Sequence, residues 1–100
     1  MRGLVFGATL DVARDKLNRI STEYERFWNV EIERIISSRY EYTMIFSNGD
    51  VWRCVKADKT YCRGRKCNIA LVDRTIPREV VETIIRPCVV REPYGALGYY

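Results

Sequence analysis

The chain contains no histidine at all. That removes the usual general base near neutral pH, every Ser-His or Cys-His nucleophile pair, and any mixed Cys/His zinc site. Long apolar runs are missing too: the longest are only a few residues, so nothing in the sequence is read as crossing a bilayer. At the amino end Asp11 interrupts the apolar patch too early for the core of a signal peptide. The four cysteines, Cys54, Cys62, Cys67 and Cys88, lack the two paired knuckles of a common zinc site. Ordinary buried thiols are expected in preference to a disulfide or a metal.

The remaining composition fits one small folded domain over 1–100, expected to be intracellular and cytoplasmic. One hundred residues with 47% apolar content can bury a single modest core, and 30% charge argues against disorder only when apolar content is this high. Leu10, Ala13, Leu17, Ile20, Tyr24, Phe27 and Trp28 recur at helical steps after a capping Thr9, which predicts a helix over 9–28. Apolar Leu4–Phe6 and the run NIALVD at 68–73 predict strands, the second covered on both faces. The segment 30–37 mixes charge with β-branched Ile32, Ile35 and Ile36 and tilts towards strand.

Asn48-Gly49 predicts a two-residue type I′ hairpin turn. That turn would set Phe46 against Val51, Ile45 against Trp52, Met44 against Arg53, Tyr42 against Val55 and Glu41 against Lys56. Tyr42, Met44, Phe46, Val51 and Val55 would then share an apolar face, which Arg53 interrupts. Thr75 is read as the cap of a second helix that carries Pro77 in its first turn and stops at Pro87. The remainder, 88–100, reads as a loosely packed tail, with Tyr94, Tyr99 and Tyr100 either packed locally or offered as an aromatic contact strip. The expected fold is α/β: a small mixed sheet with a central parallel pair (3–8 beside 68–73), an antiparallel hairpin and two helices.

Charge is concentrated in one place. Between Arg53 and Lys66 stand six basic residues (Arg53, Lys56, Lys59, Arg63, Arg65 and Lys66) and one acid, Asp58, although the whole chain carries only +4. Everything outside this segment is therefore slightly acidic. Like charges on one short segment add their fields and attract an anionic partner. Tyr61 lies among them, and a tyrosine ring can stack on an unpaired base while Arg and Lys neutralise phosphates.

The stretch from Leu4 to Leu10, the hairpin Phe46–Trp52, the Arg63-Gly64-Arg65 loop and the apolar strand Ile69–Asp73 together resemble the middle of a phage terminase large-subunit ATPase. Related P-loop motor proteins share parts of this pattern. The resemblance spans about 3–86 and implies that Asp73 stands where the family's Walker B strand ends in Asp-Glu and helps hold magnesium. The chain departs from the pattern in two ways. It contains no GxxxxGK[ST] phosphate loop, and Arg74 occupies the place of the glutamate that orients the attacking water. The resemblance thus implies a scaffold without ATPase activity, a degenerate Walker B strand and no cofactor. Asp73 reads first as a strand-end carboxylate bonded to the turn at Thr75, and second as a metal ligand.

The function expected is a non-catalytic, phage- or prophage-derived module that binds DNA or RNA through Arg53, Lys56, Lys59, Tyr61, Arg63, Arg65 and Lys66. The alternative is a protein-interaction factor, such as a phage-encoded inhibitor, that turns the same patch towards a host or phage protein.

Overall fold

The fold was obtained as a computed structural model describing residues 1–39, 41–58, 62, 64–90 and 95–100. In chain order the elements are β1 (Arg2–Gly7), α1 (Leu10–Trp28), β2 (Ile32–Ser37), β3 (Tyr42–Phe46), β4 (Val51–Lys56) and β5 (Ile69–Val72). A short α2 (Arg78–Val80) then continues as a π-helical turn, Val81–Ile85, and a 3-10 turn, Arg86–Cys88, before β6 (Ala96–Tyr99). The six strands form one sheet in the order β2-β3-β4-β1-β5-β6. Strand β1 runs parallel to β4 and to β5, and β5 runs parallel to β6, whereas β3 is antiparallel to both β2 and β4. This is the α/β mixed sheet that the sequence predicts, with β1 and β5 as parallel neighbours.

Thr9 caps α1 as expected, its hydroxyl accepting the Val12 N–H at 3.3 Å. At the other end Asn29 takes the left-handed conformation (φ 53°), and the Val30 N–H closes on the Tyr24 carbonyl at 3.1 Å. The buried stripe of α1 is Ala13, Leu17 and Ile20, with Tyr24 half-buried. Phe27 and Trp28 were expected on that stripe but are 67% and 70% exposed. The helix lies across β1 and β4, and its last turn carries these two side chains out of the packed layer.

Each face of the sheet has its own core. Beneath α1 lie Val5, Met44, Phe46, Trp52 and Cys54. On the opposite face Leu4, Phe6, Val55, Ala70 and Val72 pack with Val81 and Ile85 of the 78–88 segment. A strand between two cores needs apolar residues in both alternations, which explains the unbroken run in β5.

The hairpin differs from its expected register. Phe46 accepts the Gly49 N–H at 2.9 Å and donates its own N–H to the Asp50 carbonyl at 2.9 Å. Gly49 has a φ of 93° and Asn48 does not have a positive φ. The loop is therefore three residues, a turn closed by a left-handed glycine, and not a two-residue type I′ turn. The extra residue moves the pairing by one: Ile45 faces Val51, Met44 faces Trp52, Thr43 faces Arg53 and Tyr42 faces Cys54. A one-residue shift exchanges the faces of β4. Trp52 and Cys54 thus join Tyr42, Met44 and Phe46, and Val55 goes to the other core.

Two further expectations change. Thr75 does not cap the second helix, whose first turn begins after Pro77 with no side-chain cap. The carboxyl-terminal residues are not a loose tail, because β6 pairs along β5 from Ala96 to Tyr99. Tyr100 packs in the core beneath α1 and donates its hydroxyl to the Phe6 carbonyl at 3.0 Å. Tyr99 is half exposed, and Tyr94 lies outside the described residues. Among the described residues no helix is long and apolar enough to cross a membrane.

Candidate functional site

The basic segment leaves the carboxyl end of β4, where Lys56 pairs with Gly7 and the Ala57 N–H reaches the Gly7 carbonyl at 3.3 Å. It re-enters the sheet at the opposite end of β1, where Asn68 donates its N–H to the Arg2 carbonyl and accepts the Arg2 N–H, both at 2.8 Å. The connection between two strands that flank β1 therefore travels the length of that strand, about 20 Å at 3.3 Å per residue. Cys62 and Cys67 anchor it to the core on the face away from α1.

The cations are accordingly spread out. Lys56 is exposed at one end of the path and Lys66 at the other, while Arg65 is half-buried near Lys66. Lys66 donates from Nζ to the Pro87 carbonyl at 3.1 Å. Arg53 stands apart from these, within β4. The corrected register places it opposite Thr43, where its Nε lies 3.1 Å from Glu41 Oε1 and 3.2 Å from Thr43 Oγ1. Glu41, expected to pair with Lys56, is Arg53's counter-ion instead. Lys59, Tyr61 and Arg63 lie outside the described residues.

Between this loop and the 83–88 segment opens a cleft of about 560 Å³. Ile84 and Pro87 form one wall, and Cys62 and Cys88 lie beneath. Gly64, Arg65, Lys66 and Thr83 complete it. The cleft walls from the second helix were not anticipated. Pro87 was read only as a helix stop, and no sequence signal links Thr83 or Ile84 to a loop twenty residues earlier.

All four cysteines are free and buried. Burial pushes Cys54 up to about 12 and Cys62 and Cys67 each up to about 11, and it raises Cys88 as well. Such thiols stay protonated at neutral pH, so the cleft floor carries no negative charge. Among the described residues no group of three or more Cys, Asp or Glu side chains is arranged to hold a metal ion.

Asp73 sits at the carboxyl end of β5, buried, with both oxygens engaged. Oδ1 accepts the Thr75 N–H at 3.0 Å and Oδ2 accepts the Ala8 N–H at 3.3 Å. The Thr75 N–H, followed by opposing desolvation and the Ala8 bond, leaves its pKa below the ordinary carboxylate value. The carboxylate thus ties the turn after β5 to the turn after β1. Arg74 is exposed, and its N–H bonds the Tyr100 carbonyl at 2.9 Å.

No protein-family model matches the chain, and no curated protein matches it either. Among solved structures, the chain is similar to the large terminase of a thermophilic bacteriophage in complex with ADP, with a TM-score of 0.55 and 17% sequence identity. The match covers 99% of this chain and 25% of the terminase, so the chain spans about a quarter of that protein's length. The fold is terminase-like.

Proposed function

We propose that this chain is a phage- or prophage-derived module that binds nucleic acid through its basic loop and performs no chemistry of its own. One observation carries the reading: six cations against one acid within 53–66, in a chain whose other residues are slightly acidic overall. Two placements in the fold support it. Lys56 and Lys66 are solvent-exposed at the two ends of the loop's path. Arg53 also stays accessible, its side chain more than a third exposed beside Glu41 at 3.1 Å. For the absence of catalysis, the support is the missing GxxxxGK[ST] motif, the lack of histidine, and an Asp73 whose oxygens both accept backbone N–H bonds.

The test is fluorescence anisotropy with a short labelled DNA over a salt series. Binding by charge gives log K falling linearly with log salt, by about 0.7 to 0.9 for each phosphate neutralised. The triple variant Lys56→Glu, Arg65→Glu, Lys66→Glu should bind far more weakly and with a shallower slope. A triple variant that stays folded and binds like the parent moves the site away from the loop.

A further inference from the structure

The cleft beside Lys66 has features that a uniformly charged surface lacks. Its wall of Ile84 and Pro87 is apolar, and no acidic side chain is among its described lining residues. Lys66 is held at the cleft by its bond to the Pro87 carbonyl, 3.1 Å, and an ammonium retains further N–H donors when one is used. Thr83 gives its hydroxyl proton to the Glu79 carbonyl at 2.7 Å, so towards the cleft that oxygen can only accept. Gly64, exposed and at φ 77°, has no described residue beyond its chain neighbours within 4 Å of where a Cβ would stand. A flat, partly apolar group with N–H donors at its edge, carried on an anionic backbone, matches this set.

We infer that the cleft seats one unpaired base of a single-stranded nucleic acid, against Ile84 and Pro87, with the adjoining phosphates at Arg65 and Lys66. The inference rests on the nucleic-acid reading above and narrows it to a ligand class. A paired base stays within its stack and cannot enter a cleft, whereas a single strand offers its bases freely. The volume, about 560 Å³, lies within the range of small-ligand pockets.

Three labelled probes of equal length, about 15 nucleotides, test this: oligothymidylate, a strand of abasic sugar-phosphate, and a duplex. The native protein should bind oligothymidylate about tenfold more tightly than the abasic strand, the scale of one buried base. Thr83→Leu, which removes the hydroxyl acceptor and narrows the cleft without adding an aromatic face, should largely abolish that preference. Equal affinity of the native protein for the thymidylate and abasic strands overturns the inference without touching the charge-based reading. A preference that Thr83→Leu leaves unchanged does the same. Unchanged binding by the folded Arg65→Glu, Lys66→Glu variant moves the phosphates away from this cleft and overturns the inference, whereas native protein that binds none of the probes overturns the nucleic-acid reading itself.

Discussion

At the scale of single residues, Asp73 should be worth more to stability than to any reaction. Its bonds to the Thr75 and Ala8 N–H groups hold two turns together, and hydrogen bonds to a charged group contribute about 1.5–3 kcal/mol each at most. Asp73→Ala should therefore destabilise the fold by about 2 kcal/mol, read from urea unfolding at neutral pH. The folded-state pKa is lowered, so the contribution is complete above the unfolded value, about 3.9, and disappears as pH falls through the folded value. The gap between the native and Asp73→Ala proteins should accordingly close in acid. A gap that is constant down to about pH 2 would show that the carboxylate's charge is not what matters. The thiols offer a second residue-level measurement. With Cys62 and Cys67 raised to about 11 by burial, a disulfide reagent at pH 8 should label no cysteine at a free-thiol rate until urea opens the chain.

At the scale of elements, two glycines separate backbone strain from crowding. Gly49→Ala meets no neighbour within 4 Å but must keep a φ near 93°, so it should cost about 1–2 kcal/mol through the backbone alone. A Cβ at Gly3 would fall within the Trp52 ring, so Gly3→Ala should cost more, on the scale of about 1–3 kcal/mol for overpacking, and lower the folded Trp fluorescence contrast. Equal melting temperatures for the two variants would contradict that division. These elements also show what the sequence made legible. Helix α1, its Thr9 cap and the parallel β1–β5 pair follow from periodicity and apolar runs that local physics fixes. The hairpin's existence was legible in Asn48-Gly49, but its register was not, because Asn48 keeps a negative φ and only Gly49 crosses to a positive one. Strand β6 was hidden for a different reason: Ala96–Tyr99 gains its order from lying along β5, a contact that no local pattern announces. The basic loop was visible as charge, whereas the placing of Lys56 and Lys66 at its two ends and the pairing of Arg53 with Glu41 depend on tertiary structure.

At the scale of the whole molecule, the prediction concerns catalysis. Purified protein should hydrolyse ATP no faster than background, and turnover that Asp73→Ala abolishes would refute the non-catalytic reading. The topology carries a separate consequence, for how the chain reaches its fold. Strand β1 precedes the other strands and is the most enclosed, yet Gly3 finds its two partners only at Trp52 and Ile69. Hairpin β3–β4 can close early, since its strands are joined by a short turn, but β1 gains nothing from that until residue 51 has emerged. During synthesis α1 can cover Val5, but Phe6 faces the other core and must wait for partners from the second half of the chain. Late pairing around a central strand predicts slow, aggregation-sensitive refolding on whose rate the early-made contacts weigh most. A destabilising change in the β3–β4 hairpin should therefore slow refolding in stopped-flow measurements more than an equally destabilising Val5→Ala, which should mainly speed unfolding, leaving the order of assembly written in the protein's kinetics.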